Sequence, residues 1–262
     1  MGMSATGTKQ PAIEISERTS LCLLLSVFCV LLSSGFYSQA ATRGITLTGR
    51  IRLVDPAAPQ KLADSSNAVV WLTPLNGASA AGIGDPLGPR VRLVQQHKRF
   101  EPHVLVVPVG SIVDFPNLDP FFHNVFSLFE GKRFDLGLYE SGATQSVKFD
   151  RPGVCYIFCN IHPEMSAVVV VLSTRFFGVS NRMGTVAIPN IPPGRYRLGV
   201  WHERCAPAAL KELPREVTVS EADNSLGTIE LVESGDLIPS HKNKYGRDYD
   251  KPSPASLLYE ER

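Results

Sequence analysis

The sequence predicts an all-β chain built from one larger and one smaller β-sandwich. Three observations carry this. Short runs rich in β-branched and aromatic residues recur along the chain, separated by turn signals such as Pro108, Gly110, Pro116, Pro152-Gly153 and Pro192-Pro193-Gly194. Almost no segment places its apolar residues at helical spacing. Gly (21) and Pro (20) are frequent enough in 262 residues to punctuate many short strands. Hydrophobic residues at 44% against 19% charged residues exclude a chain disordered throughout. A formal net charge of +1 argues against a protein built to hold nucleic acid, which would need a basic face.

Residues 1–40 read as an export signal. An almost wholly apolar run of about twelve residues at 21–32 is short of the roughly twenty needed to span a bilayer. Lys9 and Arg18 precede it, and Ser38-Gln39-Ala40 offers small residues for cleavage after Ala40. The expectation is a periplasmic or otherwise exported protein, with no integral membrane part once the signal is removed; an uncleaved anchor is the alternative. Cleavage removes Cys22 and Cys29 and leaves Cys155, Cys159 and Cys205, an odd number that points to a thiol with a job other than a disulfide.

Strands are expected at 45–54, 68–72, 91–94, 104–109, 112–115, 124–127, 146–150, 154–159 and 167–172, then at 185–188, 195–201, 216–219 and 228–232. Residues 76–89 read as a small, Gly-rich loop inserted between strands. The expected units are 42–174, with extra N-terminal strands, and 175–233. A polar, loosely ordered tail of mixed charge follows at 234–262.

The chemistry lies in Cys159-Asn160-Ile161-His162-Pro163-Glu164-Met165, a short loop between two predicted strands. Thiolate and thioether are soft ligands that favour copper, and imidazole suits both of its oxidation states. A trigonal His₂Cys site with a weak axial Met needs one further imidazole, and His123, at the head of an earlier strand, is the candidate. Pro163 stiffens the loop and biases His162 toward extended backbone. Phe121, Phe122 and Phe158 are expected to form an apolar shell. His97, His103, His202 and His241 have no ligand-like spacing and read as structural or solvated. Cys155 is four residues from Cys159, roughly 13 Å along a straight strand, too far for a disulfide. Strand alternation puts it on the same face as Cys159, as a core residue beneath the metal. A binuclear copper site using both cysteines is the alternative. Zinc fits less well, because its structural sites do not use Met.

Phe100-Glu101-Pro102, Val113-Asp114-Phe115, Asn117, Asp119, His123-Asn124-Val125, Gly153, Tyr156, Cys159, His162 and Met165 together resemble a cupredoxin. The short Cys-x₂-His-Pro-x-Met loop is most similar to that of amicyanin. The resemblance covers about 67–172 and implies a Greek-key β-sandwich or barrel. It implies one type 1 blue copper ion held by His123, Cys159, His162 and Met165. It also implies that Asn124 ties the two ligand-bearing loops together. Residues 184–198 resemble the small transthyretin-like or carboxypeptidase-regulatory-like module, an immunoglobulin-like sandwich in which a Pro-Gly-x-Tyr-x-Leu phrase closes a hairpin. Trp201 is expected in its core. Cys205 is expected as a buried thiol, with a bridge to Cys155 as the alternative.

The functional expectation is an exported carrier of single electrons between redox partner proteins, without enzymatic turnover. The alternative is a protein that stores or delivers copper. No His-x-His pair, Gly-x-Ser-x-Gly elbow or His-Glu-x-x-His motif points to an enzyme.

Overall fold

The structure, a computed structural model, describes residues 1–2, 44–58, 64–75, 90–128, 131–213, 215–234 and 242–249. The expected export signal (beyond its first two residues), the loop at 76–89 and His241 lie outside these. Among the described residues no helix is long and apolar enough to cross a membrane. Residues 43–262 belong to one unit.

The chain begins its sheets with β1 (Ile45–Val54) and β2 (Val69–Pro74). In β1 every second residue points inward: Ile45, Leu47, Ile51 and Leu53 are buried, with exposed residues between them. Next come β3 (Arg90–Arg92), β4 (Val94–Gln96), β5 (Arg99–Glu101), β6 (Val104–Pro108) and β7 (Ile112–Pro116). Then follow β8 (His123–Ser127), β9 (Phe134–Tyr139), β10 (Thr144–Lys148), β11 (Gly153–Phe158) and β12 (Ser166–Leu172). Five of them make a sheet in the order β6-β12-β11-β8-β9; β10-β7-β3 make a second sheet, and β4 pairs with β5. The two sheets share a core of Val113, Phe115, Val125, Phe149, Ile157, Val169 and their neighbours. Strand β9 escapes the hydrophobic pattern because Gly137 and Asp135 interrupt its apolar residues.

The remaining elements are β13 (Phe177–Val179), β14 (Thr185–Ile191), β15 (Gly194–Trp201), the short helix α1 (Pro207–Glu212), β16 (Glu216–Val219) and β17 (Ser225–Val232). They take in both N-terminal strands. β1 lies between β14 and β17, and β2 lies between β13 and β15. Ile45, Leu47, Ile51, Leu53, Val70 and Leu72 therefore share one core with Val186, Ile188, Leu198 and Leu231. The sequence boundary at 174/175 separates β1 and β2 from these hydrogen-bonding partners. Alternation shows that a strand has a buried face but not which distant strand supplies the other half of the core.

The turn at Pro192-Pro193-Gly194 also differs from expectation. It does not close a paired hairpin: β14 and β15 belong to different sheets, so the turn carries the chain across the core. Tyr196 is buried beneath it and donates its hydroxyl to the Pro192 carbonyl at 2.7 Å.

β12 joins the two sandwiches. Its odd-numbered residues Ala167, Val169 and Val171 face the first core. Val168, Val170 and Leu172 face a third cluster with Val69, Val104, Trp71 and Trp201. A strand buried on both faces reads as an unbroken apolar run, as 167–172 does. Trp201 packs against both the second core and this joining cluster. Cys155, Cys159 and Cys205 are all free and buried, so no Cys155–Cys205 bridge forms.

Candidate metal centre

His123 opens β8, and a loop braced by its own buried polar side chains delivers it. The Asp119 carboxylate accepts hydrogen bonds from the backbone N–H groups of His97 at 2.7 Å and Lys98 at 3.0 Å. Both turn residues have positive φ (54° and 53°), the backbone of a two-residue type I′ hairpin that seldom lacks Gly or Asn. Asp119 thus fixes the β4–β5 turn while itself being fixed. Asn117 accepts from the Asp119 N–H at 3.1 Å and donates to the Phe121 carbonyl at 2.8 Å. Asp119 then accepts from His123 Nε2 at 2.8 Å. With the proton on Nε2, the His123 Nδ1 lone pair is directed at the site.

Cys159 lies one residue beyond β11. Its N–H donates to the Met165 carbonyl at 3.2 Å, and the Met165 N–H donates to the His162 carbonyl at 3.1 Å, so residues 159–165 close on themselves. Burial pushes the Cys159 thiol pKa up; backbone N–H groups of Asn124, Ile161 and His162 oppose this by stabilising the thiolate. Burial, then the neighbouring His123, holds the His162 pKa down, so its imidazole is a neutral donor.

The three side chains converge. Nδ1 of His123 and Nδ1 of His162 are 3.1 Å apart, and Cys159 Sγ lies 3.8 Å and 3.6 Å from them. The point equidistant from these three atoms is about 2.0 Å from each, a metal–nitrogen bond length and slightly under a metal–thiolate one. The donor set therefore fits a soft, trigonally coordinated ion. His123, Cys159 and Met165 are fully buried, and His162 reaches partly to the surface.

Cys155 does not join the donor group. It sits in the core, where burial raises its thiol pKa to about 11. Of the three phenylalanines expected around the site, only Phe121 lies against it, with ring centres 5.2 Å from His123 and 5.7 Å from His162. Phe122 is half exposed, and alternation turns Phe158 to the opposite face of β11 from Cys159, where it packs on Phe126. The Asn124 side chain does not link the two ligand loops. It donates to Asp135 Oδ1 and the Gly137 carbonyl on β9, and its own oxygen has no hydrogen-bond partner among the described residues. Its backbone N–H instead helps to stabilise the Cys159 thiolate.

His97 is exposed, His103 pairs with Glu203 at 2.7 Å, and buried His202 is satisfied by the Ser66 carbonyl and the Arg204 N–H. Sequence reasoning gave Asp119 no role. Its place four residues before His123 was the available signal.

The chain matches no family model and no curated protein. Solved structures similar to part of it include cupredoxins. One is a purple cupredoxin from Nitrosopumilus maritimus, 24% identical over 32% of this chain and 99% of that one, with a TM-score of 0.28. Another is a mutant of amicyanin in its Cu(I) form, 20% identical over 40% of this chain and 99% of that one, with a TM-score of 0.30. A copper-containing nitrite reductase from Thermus scotoductus SA-01 is 27% identical over 32% of this chain, with a TM-score of 0.31. The match spans only 22% of the reductase.

Proposed function

We propose that this protein is an exported type 1 copper protein that carries single electrons between redox partner proteins. The observation that carries the reading is the triangle of His123 Nδ1, His162 Nδ1 and Cys159 Sγ, with edges of 3.1, 3.6 and 3.8 Å. Met165, buried at the close of the same loop, would supply a thioether as a weaker fourth donor. Copper bound there supplies a one-electron couple.

The chain's own residues do the rest. Asp119 orients one imidazole and Pro163 stiffens the loop that bears the other. β8 and β11 meet at Phe158 and Phe126, beside the donors. A frame held on both sides changes little when the charge of the ion changes. Phe121 shields the imidazoles from water. Ile161 and Phe121 are exposed beside His162 and form an apolar rim through which an electron passes to a docked partner. With His123, Cys159 and Met165 buried, His162 is the donor that faces the surface, which suits the passage of an electron through its edge.

Copper-loaded protein should show intense visible absorption and one reversible couple in voltammetry. Cys159→Ser should abolish the absorption, and Met165→Leu should keep copper with a shifted potential. Full absorption in the Cys159 variant would refute the assignment. A colourless protein that yields its copper to a chelator without a reversible couple would instead be a storage or delivery protein.

A further inference from the structure

The tail was expected to be loosely ordered, but residues 242–249 have a defined fold and a defined place. Asn243 organises the segment. Its side-chain oxygen accepts from the N–H groups of Tyr245 at 3.0 Å and Arg247 at 3.1 Å, and its own N–H donates to the Arg247 carbonyl at 2.9 Å. Gly246, with φ of 72°, makes the reversal inside this turn. The segment is thus a preformed knot held by its own hydrogen bonds.

That knot sits on the metal centre. The Tyr249 hydroxyl donates to the carbonyl of Cys159 at 2.8 Å. The Lys244 N–H donates to the side-chain oxygen of Asn160, the next residue, at 2.9 Å. The Lys244 ammonium reaches the Asp135 carboxylate at 2.7 Å. Asp135 in turn holds the Asn124 side chain at 2.7 Å, next to His123. Within a few bonds the segment grips both halves of the donor set, the Cys159–Met165 loop and the His123-Asn124 strand. The bonds to Asn160 and to the Cys159 carbonyl are part-buried, whereas the Lys244–Asp135 pair, with Asp135 41% exposed, is screened by solvent. Among the described residues, none of 242–249 belongs to the three buried clusters, so the segment adds little to the cores.

We infer that Lys244 and Tyr249 are positioning residues for the metal centre, and that segment 242–249 straps the two ligand-bearing loops together from outside and retards exchange of the bound ion. The inference rests on the proposed copper site. Its chemistry is plain: an ion leaves such a site by the opening of one ligand loop, and opening this loop must first break the Tyr249 and Lys244 contacts. A neutral hydrogen bond contributes modestly and a charge-assisted one more.

The test uses the full chain with Tyr249→Phe, Lys244→Ala and the pair of substitutions, and has two independent readouts. In the copper-loaded protein, transfer of copper to an excess of chelator should be about five- to tenfold faster in either single variant and faster still in the pair, an order of magnitude set by the loss of one or two net hydrogen bonds. Lys244→Arg, which keeps a donor for Asp135, should restore most of the slow release. In the metal-free protein, hydrogen exchange at the Cys159 and Met165 amides should accelerate while the second sandwich keeps its protection. Wild-type release and wild-type exchange in the paired variant, with copper bound, would overturn the strap and leave the copper site standing. Faster loop exchange in a protein that takes up no copper would overturn the copper reading and leave the strap as a structural clasp.

Discussion

The two sandwiches bury polar groups for different purposes. In the second, the buried polar side chains serve nearby backbone. Ser65 accepts from the Leu53 N–H, Ser180 links Ala68 to the Ser65 carbonyl, Thr174 caps the Phe176 N–H, and His202 donates to Ser66. In the first, some reach other side chains as well: Asp119, whose backbone N–H is held by Asn117, holds His123, and Asn124 holds Asp135, while Ser111 serves the Pro108 carbonyl. Among the described residues, the first sandwich also leaves Gln95 Oε1, Asn124 Oδ1 and Ser127 Oγ without partners, a cost the second mostly avoids. Buried polar atoms that repair the backbone mark architecture. Those that steer another side chain mark a site.

The largest effect expected from this contrast is thermodynamic and falls in the second sandwich. Ile188 is fully buried among Leu47, Val186 and Leu198. Ile188→Ala should cost about 2–5 kcal/mol of stability through the lost transfer energy and the cavity left behind. Because Ile188 belongs to a different core from Cys159 and Met165, the absorption per bound copper should not change. Denaturant unfolding and a copper titration on the same sample check both halves. A changed spectrum would show that the second sandwich shapes the ligand triangle and would erase the division of labour.

Asp119→Asn is the complementary case. An amide that keeps its oxygen toward the His97 N–H puts NH₂ in place of Oδ2, so the bonds accepted from the Lys98 N–H and from His123 Nε2 are both lost and the NH₂ opposes the required tautomer. Loss of an outer partner to a metal-bound imidazole typically lowers metal affinity about 10- to 100-fold. Competition against a Cu(I) chelator measures this. Affinity within a factor of two of the wild type would demote Asp119 to a turn brace.

These two cases also show what the sequence could reveal. The meeting of Cys159 and His162 was legible because the two are near neighbours in the chain, and the strand that follows them is apolar on both faces. His123 was legible as the remaining candidate at a strand head. Asp119 was half legible, since a carboxylate four residues before His123 is a local signal. The Asn124 bonds to β9 and the Tyr249 bond to Cys159 were not, because partners 13 and 90 residues apart leave no periodicity between them. The same reason misplaced β1 and β2: their partners lie beyond residue 174.

The smallest expected effect lies where the two sandwiches meet. His103 stands just before β6 and Glu203 just after β15, and they pair at 2.7 Å. The Glu203 hydrogen bond, outweighing burial, raises the His103 pKa from its ordinary 6.5. Burial pushes Glu203 up, but His103, His202 and Arg204 together hold it below its ordinary 4.5. The His103 contribution is therefore complete below pH 6.5 and is lost as pH rises through the raised folded value. The Glu203 contribution is complete above pH 4.5 and is lost as pH falls through the lowered one. Stability from the pair should form a plateau between those two ordinary values. The His103 side chain is 35% exposed, so solvent screening keeps the contribution to about 1 kcal/mol or less. Glu203→Gln should flatten the fall in Tm on the alkaline side of the plateau without moving the absorption of the copper-loaded protein. A Tm–pH curve with its wild-type slope would mean that Val69, Val104, Val168 and Trp201 hold the two sandwiches together without help from the charges.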